Sequence, residues 1–403
     1  MHKLSSSLRS RTTRDTLELA KPLAQKMGIT RVTDTTWLDR IGIPVFASIR
    51  PDAKSGSLCV NAGKGRRPEE AEVGAYMEAI EFAFAEFGRT SLTTELSTPR
   101  AIASTLPSGL NFNSFCPMYG HKIDSDGPMR AIKTQSAIGS APVMVPAELV
   151  FIPYPENDGQ RVFGESSNGL CSGNSVLEAS IHGLCELMER DVQAFDFLHN
   201  RSVLVYLDEV SEDVETLVQL IRDADLELAI RYTRNSFALP YFQAFLTETS
   251  PEMPVSVATG SGLHFSKSVA LVRAISEAAQ SRLSHIHGGR DDIIRRVQYF
   301  DRVGRDAEIQ AIQSLRSMAF ADQDLERYSN IPEPTAPSSL DAAWDMTLQA
   351  VRQVGVTSVF SVPFTAPEER LQVVRVIAPG LESFEPNLKR VGPRLAAYAS
   401  TYL

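Results

Sequence analysis

The sequence predicts an α+β fold, and three observations carry that prediction. Strand-like and helix-like segments interleave without the regular alternation that a doubly wound parallel sheet requires. No short tandem repeat is visible. No clear linker divides the chain, the Pro-rich loop at 331–338 being the one candidate boundary. With 403 residues and 43% hydrophobic content there is ample sequence for a large core, and length alone would suggest two or three domains.

Taken in order, residues 1–37 read as a polar start and one helix, Thr16 to Met27. The apolar, β-rich run Arg40 to Arg50 and a second strand, Ser57 to Asn61, flank the turn residues Asp52 to Gly56, so a hairpin is expected. Gly63-Lys64-Gly65 ends that strand, and Arg67-Pro68-Glu69-Glu70 opens a helix with proline in its first turn, running to about Phe87. Residues 90–166 are rich in Pro, Ser and Gly, which suits loops around a site, with short strand-like runs such as Ala147 to Ile152. A helix over 174–199 follows, then a strand (Ser202 to Leu207), a helix (Val214 to Asp223), and strands near 226–233, 240–248 and 255–260. A helix over about 267–286 precedes a charged segment (290–306), a loop with Pro332, Pro334 and Pro337, a helix (339–354) and a strand (Thr357 to Ser361).

Composition excludes several classes. A net charge of −9 without a run of basic residues gives no footprint for nucleic acid. The four cysteines (Cys59, Cys116, Cys171, Cys185) include no Cys-x-x-Cys pair, so neither a zinc site nor a disulfide framework is expected, and a reducing cytoplasm fits. The start MHKLSSSLRSRTTRD is basic but lacks the apolar run of a secretory signal, and nothing approaches a membrane span.

Chemistry concentrates on three helices. On the richest, Glu178, Glu186 and Glu189 fall within an arc of about 80°. Leu177, Ile181, Leu184, Met188, Val192 and Phe195 fill the adjoining arc, the face a helix buries. Carboxylates bordering a buried stripe are costly to desolvate unless a cation or strong donors neutralise them. Glu186 and Glu189, at i and i+3, can meet one ion, with Arg190 beside them. Glu178 lies roughly 12 Å from Glu186 along the axis, too far to share that ion but within reach of a ligand as long as ATP. Asn174 stands where a helix cap would, and Gly169 and Gly173 would let backbone amides approach an anion. The helix before it pairs Glu78 and Glu81 at the same spacing among Ala, Met, Ile and Phe, whereas an isolated pair is ordinarily solvated. The third carries Arg273, Glu277 and Gln280 on one face, with Arg282 about 140° away from Glu277. By itself that motif reads as a surface Arg–Glu pair.

Other candidates are weaker. Lys64 in Gly-Lys-Gly resembles part of a phosphate loop, but no GxxxxGK[ST] occurs. His182, His285 and His287 lack metal-ligand partners at a convincing spacing, no Gly-x-Ser-x-Gly elbow occurs, and Cys171 and Cys185 read as small packing residues.

Taken together, Gly63-Lys-Gly65 with Glu78-x-x-Glu81, Asn174-x-x-x-Glu178 with Glu186-x-x-Glu189-Arg190, and Glu277-Ala-Ala-Gln280-Ser-Arg282 resemble the YcaO family, in its order and over most of the chain, from Arg9 through Glu382. Leu38-Asp-Arg-Ile-Gly-Ile-Pro-Val and Gly288-Gly-Arg-Asp-Asp292 add family-like phrases. The resemblance implies one large α+β catalytic domain over residues 1–403, with a core at about 60–300 and a C-terminal segment (about 339–403) packed on it, commonly a homodimer. It implies ATP-dependent activation of a peptide backbone amide: the amide oxygen attacks the γ-phosphate, and the entering nucleophile sets the product. A Cys, Ser or Thr side chain gives an azoline, sulfide a thioamide, an amine an amidine, and water cleavage of the peptide. By resemblance Glu78, Glu81, Glu186 and Glu189 hold Mg2+ and phosphate. Arg9, Thr16, Asn174, Glu178, Arg190, Glu277, Gln280 and Arg282 complete the ATP site; no catalytic residue beyond these is assigned.

The chain departs from the pattern in two places. Cys171 stands where many members have a small or hydroxyl residue, and the ending Ala-Ser-Thr-Tyr-Leu403 lacks the Pro-x-Pro-x-Pro tail of azoline-forming members. The stretch Val374 to Glu382 looks more like members that work with a separate TfuA protein, often thioamide formers. No fused peptide-recognition domain is visible, so a TfuA-like or peptide-recognition partner is expected to deliver a ribosomal precursor peptide. The expectation is thioamide formation in the cytoplasm, against an azoline-forming cyclodehydratase, an ATP-dependent peptidase, or a non-catalytic nucleotide-binding accessory.

Overall fold

A computed structural model describes residues 2–4, 7–135, 142–155, 159–250, 255–289 and 298–401. Arg290, Asp291 and Asp292 of the family-like phrase, much of the charged segment, and the last two residues lie outside the described residues.

The helices in chain order are α1 (Thr13–Lys26), α2 (Pro68–Ala85), α3 (Pro99–Thr105), α4 (Val176–Leu198), α5 (Glu212–Asp223), α6 (Lys267–His287), α7 (Arg305–Ala319), α8 (Leu340–Gln353) and α9 (Pro393–Ala399). The strands up to the middle of the chain are β1 (His2–Lys3), β2 (Leu8–Arg9), β3 (Arg31–Asp34), β4 (Val45–Ile49), β5 (Val60–Lys64), β6 (Glu95–Ser97), β7 (Met129–Gln135) and β8 (Pro142–Pro146). After them come β9 (Leu170–Gly173), β10 (Val203–Tyr206), β11 (Glu227–Tyr232), β12 (Tyr241–Thr247), β13 (Val257–Leu263), β14 (Leu325–Arg327), β15 (Phe360–Pro363) and β16 (Gln372–Ile377).

The residues group into two compact units. The first holds 1–53, 58–80 and 201–337, the second 54–57, 81–200 and 338–403. The division falls inside α2, between Ile80 and Glu81, so that one helix contributes to both.

In the first unit a sheet runs in the order β13-β12-β11-β10-β14, antiparallel except for the parallel pair β10–β14, and a second runs β3-β4-β5, antiparallel throughout. Helix α6 lies on β12 and β13 and seals the main core with Leu271, Val272, Ile275 and Ala278 against Phe242, Ala244 and Ala258. Two glycines permit that contact: a Cβ on Gly260 would stand 2.3 Å from Ala274 O, and one on Gly262 would stand 2.1 Å from Ala270 O. The second unit carries the antiparallel sheets β15-β16-β9 and β6-β7-β8. Helix α4 packs on β9 and β16, with α8 against it.

The expected hairpin is β4–β5, but its strands are displaced from the expected positions. Gly42 has φ +77° and Pro44 offers no N–H, so regular pairing begins only at Val45. Gly63 lies inside β5 instead of ending it: a Cβ there would stand 2.1 Å from both Ala71 O and Ala75 N, so the glycine lets α2 lie directly on the strand. Ala147–Leu149, expected as a strand, is a 3-10 turn between Pro146 and Pro153. Strand β3 stands where the sequence reading gives only a polar start, and α7, burying Ile312 and Ala319, stands where it gives charged segment and loop. Among the described residues no helix is long and apolar enough to cross a membrane.

Candidate functional site

In the second unit, α4 opens at Ser175, whose hydroxyl accepts the Glu178 N–H at 3.1 Å. Asn174 is therefore not the cap. Its backbone N–H and side-chain amide both donate to Glu178 Oε1, at 3.2 and 3.1 Å, which answers the desolvation of a carboxylate only 2% exposed. Glu189 is as deeply buried, at 2%. Arg190 bridges its two neighbours, Nη1 to Glu189 Oε1 at 3.3 Å and Nη2 to Glu186 Oε1 at 3.7 Å, and donates to Gln193 at 2.9 Å. Ile181, Leu184, Met188 and Val192 are buried as the stripe predicts, while Leu177 and Phe195 are half-buried. Asp191 and Asp196 are buried as well, so α4 is enclosed around more of its girth than one stripe. Burial pushes the Asp191 carboxyl up to about 6 against the pull of Arg394, and Asp191 also accepts the Glu382 N–H, tying α9 and the chain before it to α4. Glu81 accepts a 2.5 Å hydrogen bond from the Ser172 hydroxyl on β9.

In the first unit β5 organises the rest. Ala62 donates its N–H to Glu78 Oε2 on α2 at 3.2 Å and accepts the side-chain amide of Gln280 on α6. One strand residue thus fixes side chains from two helices. Lys64, two residues on, pairs with Glu277, which also accepts from Ser261 at 3.4 Å. Arg282 points elsewhere, as its angular offset from Glu277 requires. Its guanidinium meets Asp39 (2.8 Å), Glu248 (2.8 Å) and Val255 O (2.7 Å), all buried, and Arg40 grips the same Glu248 at 2.8 Å. Burial would raise the Glu248 carboxyl, but Arg40 and Arg282 outweigh it and hold it below the usual carboxylate range. The Leu38-Asp-Arg phrase therefore serves as an anchor for α6. Near the N-terminus Arg9 Nε donates to Ser7 at 3.0 Å and Thr16 donates to Thr12 O within α1.

Among the described residues no three acidic, histidine or cysteine side chains converge as a metal cage; each carboxylate keeps its own donor. The donor chemistry still fits Mg2+, which takes hard carboxylate oxygens and shares its shell with phosphate. Lys64 and Arg190, already against glutamates of this set, are the charge partners that phosphate oxygens select. Sequence reasoning missed Ser172, Asp39, Glu248 and Asp191, because nothing in local spacing shows which distant segment each one meets.

A structure of YcaO from Methanopyrus kandleri bound with AMPPCP and Mg2+ superposes with a TM-score of 0.76 at 21% identity, covering 97% of each chain. A heterocyclase in complex with substrate and cofactor gives 0.76 at 18% identity, covering 98% of this chain and 55% of that one. At those identities the likeness is one of fold. A protein of Methanothermobacter thermautotrophicus is 31% identical over 94% of this chain and 97% of its own length. One encoded in the tfuA 3' region of Rhizobium leguminosarum bv. trifolii is 31% identical over 93% of this chain and 88% of its own. The YcaO family model, described as YcaO cyclodehydratase, ATP- and Mg2+-binding, matches residues 62–382, and with well over half the chain matched the protein belongs to the YcaO family of ATP-dependent enzymes.

Proposed function

We propose that this protein uses Mg-ATP to activate a backbone amide of a ribosomally made precursor peptide, with sulfide as the entering nucleophile and a thioamide as the product. The whole chain acts as one YcaO domain, as a cytoplasmic homodimer served by a TfuA-like or peptide-recognition partner. The observation that carries the choice of product is the likeness to the Rhizobium protein of the tfuA 3' region, over nearly the full length of both chains.

Bound Mg-ATP supplies the γ-phosphoryl group that makes the amide oxygen a leaving group, and the cation that offsets the phosphate charge. The residues of this chain do the positioning. Glu78, Glu81, Glu186 and Glu189 hold the cation, and Arg190 keeps the last two oriented while offering donors to phosphate. Lys64 and Glu277 set the charge beside Gln280. Asn174 and Glu178 form one hydrogen-bonding unit for the nucleoside end. Arg9 and Thr16 complete the nucleotide contacts, and Arg282 acts through its hold on Asp39 and Glu248.

Incubating the protein with Mg-ATP, sulfide, precursor peptide and partner should add about 16 Da per modified amide, sulfur in place of oxygen, which departs with phosphate. The family's description as cyclodehydratase favours a second reading, azoline formation, which would instead remove water from the peptide. Cleavage of the peptide would make water the nucleophile. Nucleotide binding with no phosphate release under any partner combination would make the chain an accessory.

A further inference from the structure

Arg375 lies in the middle of β16, paired in register with Leu170 of β9, and is only 1% exposed. Three of its contacts go to backbone carbonyls: Nε to Val150 O at 3.1 Å, and Nη1 to Ser166 O at 3.1 Å and to Asn168 O at 3.0 Å. Its Nη2 is buried with no hydrogen-bond partner. A guanidinium stripped of water and bonded to neutral carbonyls leaves its charge uncompensated unless carboxylates stand near. The acids that act on it are Glu186 and Glu81, with the Cys171 thiol; Arg390 is the other cation in reach. Burial drives Arg375 down to about 10, and Glu186 is the strongest influence in the opposite direction. The β9 strand explains the grouping. Arg375, paired with Leu170, shares the sheet face of Leu170 and Ser172, and Ser172 is bonded to Glu81, while α4, the helix that carries Glu186, packs on both β9 and β16.

We infer that Arg375 is a positioning residue, a fixed counter-charge behind Glu81 and Glu186 that sets how tightly this pair takes a divalent cation before nucleotide arrives. This rests on the reading of Glu81 and Glu186 as cation ligands, and it goes beyond it by naming what restrains them. The unpaired Nη2 keeps the charge from being absorbed by a single bidentate bond to one carboxylate, so both feel it. The cation is then taken up chiefly together with phosphate, whose own negative charge restores the attraction that Arg375 removes.

The test has two parts, chosen so that the inference and the reading beneath it fail separately. The first needs no metal: urea unfolding in a chelating buffer of R375Q, E186Q, E81Q and the two double variants with R375Q. A fixed counter-charge predicts non-additivity of about tenfold in the unfolding constant for at least one pair, because each double variant removes both of two opposite charges that act on each other. Additivity within about twofold for both pairs would mean that Arg375 only staples carbonyls, and would overturn the inference. Should R375Q alone fail to fold, its rescue by E186Q or E81Q is the same result, and no rescue by either overturns it. R375K, which keeps charge and loses the planar fork, should retain the coupling. The second part titrates Mn2+ into the same proteins without nucleotide. R375Q should bind about tenfold more tightly than the wild type, in a manner that E186Q abolishes. Unchanged affinity in R375Q overturns the inference. Glu186-independent Mn2+ binding by the wild type counts instead against the cation site, and the unfolding cycle still decides the role of Arg375.

Discussion

Replacing Gly260 by alanine is the sharpest test of how the fold serves the site. The added methyl would stand 2.3 Å from Ala274 O and 2.3 Å from Ala278 N, and 2.7 Å from the carbonyl carbon of Glu277, where ordinary contact begins at 3.4 Å. These are backbone atoms of α6, so no side-chain rotation relieves the clash; β13 and the helix must separate by about 1 Å. Overpacking of this kind costs about 1–3 kcal/mol. The helix carries Glu277 and Gln280, which meet Lys64 and Ala62 O of β5 in another sheet, so a shift relative to β13 carries into those contacts. A misplacement of about 1 Å in a positioning group lowers turnover on the order of 100-fold. Urea unfolding and ATP-coupled phosphate release measure the two effects on one preparation. A G260A protein with an unchanged unfolding midpoint would refute the close-packing argument. Lowered stability with wild-type turnover would refute the claim that α6 places site residues.

Three further outcomes follow from the same structure. Glu186→Gln and Glu189→Gln keep shape but remove charge, and a loss of about 3 kcal/mol of transition-state stabilisation makes either roughly 100-fold slower in phosphate release, while exposed Glu212→Gln stays near wild type. Glu178→Ala should blunt discrimination between ATP and GTP or deoxy-ATP more than it alters Mg2+ dependence, and Glu189→Ala should do the reverse; triphosphate bound at Glu178 in a nucleotide complex would contradict that orientation. Asp191 holds its proton more tightly folded (about 6) than at the ordinary value of 3.8, so its contribution to stability is complete below that ordinary value and is lost as pH rises through about 6. The unfolding midpoint of wild type should accordingly fall more steeply than that of D191N between about pH 4 and 6.5, and parallel pH curves would dismiss the effect.

Much of this architecture was legible because it is local. The periodicity of α4 and α6 identified both helices to within two residues at each end, and i, i+3 spacing put Glu78 and Glu81, like Glu186 and Glu189, on a shared helix face without tertiary information. Where the sequence misled, a competing local rule had won. The run Ala147 to Ile152 is apolar and short, a pattern shared by strands and turns, and its flanking prolines decide for the turn. Gly63 looked like the end of a strand, yet it marks a close approach of α2 that only the assembled fold displays. The candidate residues could be named from the sequence by type, but their partnerships could not. Lys64 and Glu277 are 213 residues apart, and Asp39 and Arg282 are 243 apart. No periodicity reports pairings at such range, and the same holds for Arg375, an arginine in a mostly apolar strand whose hydrogen bonds go to Val150, Ser166 and Asn168, more than 200 residues earlier in the chain.

The central claim is that the glutamates of α2 and α4 hold a cation for a nucleotide. Calorimetric titration of AMPPCP into the wild type and into E189Q, each with and without Mg2+, tests it most directly. Binding should require Mg2+ in the wild type and be weakened on the order of 100-fold in E189Q. Binding that is indifferent to Mg2+, or equal in the two proteins, would contradict it.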